Sequence, residues 1–517
     1  MPKSASPPLF IIVDCGHDIG PDYAKRATDC DGGDCACDYP GALPPTVAGL
    51  DSNKFGSVGA SDVAVRVVWG QQYRAHFNTQ TLDSEHTFCY HPEGRGTVLS
   101  TSALALASWF TQPGRPDALP TIWRTIWGDA AINTILCRLL AARLLVPVDQ
   151  PLATPTTQPT TLTVWLHLTD RCNLRCGYCY LTHQCVSMSL ETGQAAIDTA
   201  LRSATANGFS TIQIKYAGGE PLIAWRVIPQ LHRYACDHAA SLNIDIRGVV
   251  LSNGTLLTKE IAETITSLNI GLALSLDALG SMSSPPRPYA DGRDSTVDVV
   301  RAVDLAQATG MRLSLMVTVG GQSSEDLAAV VAFALARHLP FSLNFARPHG
   351  RTSVSPADSE QLIKAMLRAY QEIETALPHR SLLATLLDRA NLSAPHAHAC
   401  GAGTSSLVFD WEGRVGDCQM RIYSPLVAAG NHDPLIAIAS HPNRIHNISV
   451  GARSGCGPCL WRAWCAGGCP LATYHSSGRY DASSPFCTVY KALFPAVLRL
   501  EGLRLIAHGR VINGTSV

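Results

Sequence analysis

Six short apolar runs of strand length recur along the middle of the chain, at 163–169, 211–216, 248–252, 271–277, 312–319 and 341–346. Between them, at 190–204, 221–239, 259–268, 296–308 and 325–337, apolar residues return with the 3.6-residue period of a helix. Strands that alternate with helices predict an α/β domain, a partial (β/α)6 TIM-like barrel with a parallel sheet over 162–350. Ligands of such folds gather at the carboxyl ends of the strands. Upstream, a hairpin-like stretch at 87–99 precedes helical patterns at 101–110, 119–127 and 130–145, with a break at Pro113-Gly114. A strand pair followed by short helices is an α+β, winged-helix-like plan, placed at 86–149. The Pro/Thr-rich stretch 150–161 holds too few apolar groups to pack and reads as a linker. A helical connector at 351–395, a cysteine-rich region at 396–490 and a helix or tail at 491–517 complete the division.

Eighteen cysteines alter this picture. Disulfide frameworks of that density belong to short secreted chains, whereas a 517-residue chain more often uses thiols for metals. Apolar runs at 327–336 and 139–148 are too short or too charge-interrupted to span a bilayer, and 9–13 is too short for a signal-peptide core. These features predict a cytoplasmic protein without membrane partners. A formal charge of −1 supplies no basic field for nucleic acid.

Ten cysteines form two patterns. Cys172-x3-Cys176-x2-Cys179 directly follows the first strand of the predicted barrel. Its three thiolates can hold three irons of a cubane and leave the fourth open, since a closed 4Fe-4S cluster takes four protein ligands. The alternative is a zinc or thiol-redox site, for which the nearby residues supply only His183 and Cys185 as further ligands. The second strand ends in Gly218-Gly219-Glu220-Pro221, and Ser252-Asn253-Gly254, Ser275-Leu276-Asp277, Arg287 and Gly292 follow. The second array comprises Cys400, Gly413, Cys418, Cys456, Cys459, Cys465, Cys469 and Cys487.

On these residues the chain resembles the radical S-adenosylmethionine superfamily, and the second array resembles the SPASM extension of its peptide- and protein-modifying members. The resemblance implies S-adenosylmethionine on the open iron of the Cys172/Cys176/Cys179 cluster. It places Tyr178 near the adenine, Gly218, Gly219, Glu220 and Pro221 around the methionine ammonium, Ser275 and Arg287 on the carboxylate or ribose, and Asn253 on the same rim. The bland reading of Ser252, Ser275, Asp277 and Arg287 is turn or capping duty. By analogy Cys456, Cys459, Cys465 and Cys487 close one auxiliary cluster, while Cys400, Cys418 and Cys469 hold another that lacks a fourth ligand, for three 4Fe-4S clusters in all. Anaerobic sulfatase maturases carry an extra cysteine where this chain has Ser406; His396 and His398 lie close in sequence but read as solvated loop residues.

In those maturases an aspartate, the proposed base, follows the second auxiliary cysteine. Here Gln419 follows Cys418, and Asp417 on its other side would point elsewhere. The implied function is therefore a maturase of a ribosomally made peptide that forms a carbon-carbon or carbon-sulfur side-chain crosslink. Formylglycine-type oxidation of a protein residue, or a non-catalytic iron-sulfur protein, are the alternatives. The implied partners are a precursor peptide with its leader and a flavodoxin or ferredoxin reductant. The 86–149 region resembles a leader-binding RiPP recognition element, with a structural cap on the barrel as the alternative. Within 1–85, Cys15, Cys30, Cys35 and Cys37 among aspartates read as a surface loop with incidental thiols, zinc being the other possibility. Cys89, Cys137 and Cys236 read as small core residues.

Overall fold

The computed structural model describes residues 8–14, 66–91, 96–149, 159–280, 285–320, 325–347 and 355–513. Cys15, Cys30, Cys35, Cys37 and most of the 150–161 linker lie outside them.

The N-terminal part comprises β1 (Phe10–Val13), β2 (Tyr73–Ala75), β3 (Asn78–Thr81), β4 (His86–Tyr90) and β5 (Thr97–Ser100), then helices α1 (Thr101–Ser108), α2 (Thr121–Trp127) and α3 (Asp129–Ala141) and strand β6 (Leu145–Pro147). Ser100 both ends β5 and starts α1, its hydroxyl accepting the Ala103 amide at 3.2 Å. The central part alternates β7 (Thr161–Thr169), α4 (Leu190–Ala206), β8 (Thr211–Gly218), α5 (Val227–Ala240), β9 (Asp245–Ser252), α6 (Lys259–Ser267), β10 (Gly271–Ser275), α7 (Thr296–Ala308), β11 (Leu313–Val319), α8 (Leu327–Ala336) and β12 (Phe341–Phe345). It continues through α9 (Pro356–Thr375), β13 (Ser406–Phe409), β14 (Val415–Gly416), α10 (Pro434–Ser440), α11 (Arg462–Cys465), α12 (Pro470–Ser477), α13 (Cys487–His508) and β15 (Arg510–Asn513).

The six expected strands are β7 to β12, each parallel to the next in chain order. Their alternation sends Leu162, Val164, Leu166 and Leu168 into the main core. There α4 presents Ala196, Ile197, Ala200, Leu201 and Ala204, spaced three and four apart. On the opposite face lies a small separate cluster of Val249, Ala273 and Met316.

Two features are absent from the sequence-based expectation. Strand β13 adds in parallel to β7, Ser406 opposite Thr163, and β14 pairs antiparallel to β13, so the sheet has eight strands. A bare β7 edge would leave its amides and carbonyls unpaired, and β13 supplies the partner while fastening the cysteine-rich region to the barrel. The N-terminal sheet likewise exceeds a winged hairpin: its order β15-β1-β5-β4-β3 joins both ends of the described chain. Arg504 of α13, 4% exposed in its side chain, binds Glu501 at 2.7 Å and Asp14 at 3.1 Å, which secures that join. Cys89 is buried as expected and Cys137 is half-buried, whereas Cys236 is exposed on the outer side of α5 and is no core residue. Among the described residues no helix is long and apolar enough to cross a membrane.

Candidate functional site

The loop after β7 begins at Asp170, a fully buried carboxylate that accepts the amides of Val186 (2.9 Å) and Gln184. Those bonds fold the segment that follows the cysteines back onto the end of β7, where Ser187 bridges Thr169. Within the loop, Arg175 caps the carbonyls of Cys172 and Leu174 at 2.8 Å, and the Cys179 amide bonds the Cys176 carbonyl at 3.0 Å. Asn253 at the end of β9 lies 3.8 Å from the Cys172 sulfur and 3.0 Å from Asn173, whose own amide reaches Thr255 at 2.8 Å. Burial pushes the Cys172 thiol up to about 12 and raises that of Cys176. An all-thiol donor set under such desolvation fits a soft metal centre, whose charge draws off the protons on loading.

The two glycines of 218–221 have a more specific role than ligand access. A Cβ at Gly218, whose φ is +151°, would lie 2.2 Å from the Thr169 carbonyl oxygen, and one at Gly219 would lie 2.4 Å from that of Arg171. The end of β8 therefore packs backbone to backbone against the root of the cysteine loop, with Gly219 and Glu220 amides bonded to the Thr169 and Arg171 carbonyls (2.8 and 2.9 Å). Glu220 is completely buried and accepts the Asn253 amide (2.7 Å), the Ser252 hydroxyl (2.8 Å) and the Leu222 amide (2.9 Å). Three of its roughly four lone-pair positions are thus used, two to latch β8 to β9 and one to cap the turn that Glu220 opens.

Desolvation raises Glu220 from 4.5 to about 7. The folded chain then retains a proton that the unfolded chain releases, so the stability present below pH 4.5 is lost as pH rises towards 7. That loss amounts to about 3 kcal/mol. Urea midpoints at pH 5 and pH 7 should differ by less in Glu220→Gln than in the parent chain; an equal difference in both would refute the assignment.

At the end of β10, Asp277 accepts from Arg287 Nε (2.8 Å), the Thr318 amide (2.8 Å) and the Tyr178 hydroxyl. The Arg287 guanidinium lies 5.4 Å above the Tyr178 ring. Asp277 is thus the hub that holds Arg287 and Tyr178 beside Cys176, a part that its position after Ser275-Leu276 alone did not assign. Ser275 is half-buried at the last position of β10. Pro221 opens the short helical turn after Glu220 and is buried.

The cysteines of the second array lie in two groups. Cys400 and Cys469 share a small buried cluster against which Cys418 packs, and burial with the nearby Cys469 and Cys400 raises the Cys418 thiol strongly. Cys456, Cys459, Cys465 and Cys487 line one partly open cavity of about 460 Å³, with Arg462 and Lys491 at its wall. Among the described residues no three His, Cys, Asp or Glu side chains close on one point as ligands of a single ion do; a cubane spreads its thiolates over different irons.

Arg453, which the sequence reading missed, is 2% exposed and within electrostatic reach of Cys456, Cys400, Cys469 and Cys465. Its guanidinium donates to the carbonyls of Gly467 (2.9 Å) and Ile448 (3.3 Å). An arginine in a cysteine-rich loop carries no sequence signal for such a place. Asp417 is buried and taken by the Ile445 amide (2.5 Å) and Arg421 (3.5 Å). His396, expected in solvent, is half-buried, and desolvation pushes it down to about 4; His398 is half-buried and meets the Asn447 carbonyl at 2.9 Å.

Residues 166–334 match the model of the Radical SAM superfamily. An uncharacterized protein of Methanocaldococcus jannaschii is 30% identical over 172 residues, 33% of this chain and 57% of that protein. The Fe-coproporphyrin III synthase of Methanosarcina barkeri is 27% identical over 172 residues, 32% of this chain and 39% of the synthase. The chain thus spans about half the length of these curated relatives. Among solved structures, native anSMEcpe with bound AdoMet and Cp18Cys peptide superposes with a TM-score of 0.55 at 17% identity, over 66% of this chain and 99% of that one. At that identity the likeness is one of fold.

Proposed function

We propose, from the premise that residues 166–334 are a radical S-adenosylmethionine domain, that the chain is a maturase that modifies a side chain of a ribosomally made peptide. The observation that carries this reading is the coexistence of the Cys172/Cys176/Cys179 loop at the carboxyl end of β7 with two further cysteine sets, in a region that β13 fastens to the same strand. Cys172, Cys176 and Cys179 would hold the cluster that binds S-adenosylmethionine. Cys400, Cys418 and Cys469 would hold one auxiliary cluster, and Cys456, Cys459, Cys465 and Cys487 the other. When bound there, the first cluster and S-adenosylmethionine would supply radical chemistry for hydrogen-atom abstraction from a substrate carbon.

The protein's own residues have positioning work. Asn253 and Arg175 orient the loop that carries the thiolates, Asp277 fixes Tyr178 and Arg287 beside it, and Glu220 with its two glycines sets the floor. Because Asp417 is engaged by Ile445 and Arg421 and Gln419 follows Cys418, a carbon-carbon or carbon-sulfur crosslink is favoured over formylglycine-type oxidation. The peptide neighbour of the same fold supports a peptide substrate; a leader segment and a flavodoxin or ferredoxin donor complete the proposal.

Anaerobic reconstitution, iron counting and a dithionite-driven assay for 5'-deoxyadenosine test it. The parent chain should hold about twelve irons, and Cys176→Ala should lose 5'-deoxyadenosine while keeping about eight. Zinc in place of iron, or nucleoside formation unaltered by the substitution, would overturn the reading.

A further inference from the structure

Arg453 is a buried cation whose neighbours are thiols rather than carboxylates. A guanidinium taken out of water keeps its charge at a cost unless negative charge stands beside it. At Arg453 desolvation opposes the charge, and the groups that favour it are Cys456, Cys400, Cys469 and Cys465. The carboxylates of this region are already taken: Asp417 by Arg421 at 3.5 Å, Asp481 by Arg479 at 2.7 Å and Asp388 by Arg347 at 2.8 Å.

The hydrogen bonds of the side chain are incomplete in one direction. Nε donates to the Ile448 carbonyl at 3.3 Å and Nη1 to the Gly467 carbonyl at 2.9 Å, whereas Nη2 is buried and has no acceptor in the protein. A guanidinium nitrogen of that kind carries two N–H donors, and leaving them unmet is unfavourable, so they mark a place where an acceptor belongs. The backbone is shaped to hold the fork there. A Cβ on Gly467, whose φ is +77°, would lie 2.4 Å from Arg453 Cδ and 2.7 Å from Nε. Gly467 belongs to the segment Cys465-Ala466-Gly467-Gly468-Cys469, whose two ends carry one thiol from each cysteine set. The carbonyl that fixes Arg453 is thus part of the link between the sets.

Other cations nearby are placed differently. Lys491 is exposed, and Arg462 is half-buried and bonded to the Gly457 carbonyl. Solvent and salt screen charges in such positions, whereas the field of a buried charge is screened much less.

We infer that Arg453 sets the reduction potential of the auxiliary clusters, its buried charge and its Nη2 donors favouring the electron-rich state of clusters held by the Cys400 and Cys456 sets. This rests on the reading of the chain as a peptide-modifying radical enzyme. Net charge and hydrogen bonds to the sulfurs are among the determinants of such a potential. Reduction adds one negative charge beside a fixed cation, so the potential rises. The consequence for a crosslink follows from its electron balance. A carbon radical that bonds to a second side chain in place of that chain's hydrogen releases one proton and one electron. The proton passes to solvent, and Arg453 favours uptake of the electron by the auxiliary set.

The test uses the full-length chain carrying Cys176→Ala, which confines the iron signal to the auxiliary clusters, with Arg453 intact or replaced in Arg453→Gln and Arg453→Lys. Each is reconstituted anaerobically, assayed for iron and titrated redox-potentiometrically with detection by electron paramagnetic resonance. Arg453→Gln should lower at least one auxiliary midpoint by about 60 mV, a tenfold change in a one-electron equilibrium. Arg453→Lys, which keeps the charge, should restore at least half of that shift. A merely structural residue would change iron content or thermal midpoint and leave the potential of the remaining clusters in place. Midpoints unmoved in an Arg453→Gln chain that holds about eight irons, or a shift that Arg453→Lys does not reduce, overturn the inference. A parent chain that takes up zinc or no iron overturns the enzymatic reading instead. Should Arg453→Gln fail to retain iron, the chain is grown on arginine with heavy-nitrogen guanidine groups and its reduced clusters are studied by pulsed paramagnetic resonance. A guanidine-nitrogen coupling that disappears in Arg453→Lys is expected; a coupling absent from the parent, or kept in Arg453→Lys, overturns the assignment.

Discussion

Asp277→Ala should destabilise the chain by about 3–5 kcal/mol, the cost of breaking a buried ion pair from one side. The Asp277 side chain is fully buried and that of Arg287 only 15% exposed, so the substitution strands a guanidinium in low dielectric. It also leaves the Thr318 amide and the Tyr178 hydroxyl without their acceptor. Replacing both partners, as in Asp277→Leu with Arg287→Met, removes the charges together and should recover most of that loss. Anaerobic chemical denaturation of the reconstituted chains measures both values. A single substitution that costs less than about 1 kcal/mol would mean the pair behaves as a solvated surface bridge.

The second large effect is expected at Gly219. In Gly219→Ala the new methyl would meet the Arg171 carbonyl oxygen at 2.4 Å and the Asp170 oxygen at 2.7 Å. Backbone oxygens cannot rotate aside, so the root of the cysteine loop must shift. The strain costs about 1–3 kcal/mol, and a displacement near 1 Å at a reacting centre lowers a rate about a hundredfold. Gly219→Ala should therefore lose 5'-deoxyadenosine formation far beyond its loss of stability, whereas Gly451→Ala, where a Cβ meets no atom within 4 Å, should leave both unchanged. Equal nucleoside yields from the two variants would show that the loop tolerates the shift.

The central strands and helices were legible because they are made of local signals. Alternation in 313–319 and periodicity in 296–308 report which side of each element meets the core, and a bare spacing of three cysteines reports a loop. The partners of Glu220 were not legible. Its glycines looked like room for a ligand, yet the atoms that exclude a side chain there belong to Thr169 and Arg171, about fifty residues earlier in the chain. Asp277 was equally opaque, because its neighbours in sequence are Leu276 and Ala278, whereas those that matter are Arg287, Thr318 and Tyr178. Cys236 failed for the opposite reason: an apolar-looking helical segment turned its thiol to solvent.

The amino-acid sequence by itself determined the kinds of element, their order, and the thiols available to a metal, because periodicity, turn chemistry and cysteine spacing are properties of neighbouring residues. The tertiary structure alone decided that β13 covers the β7 edge, that β15 joins β1, and that Arg453 stands between two cysteine sets. Those facts depend on register and on contacts between distant segments, which follow from the closure of unpaired strand edges and the burial of charge rather than from any local pattern.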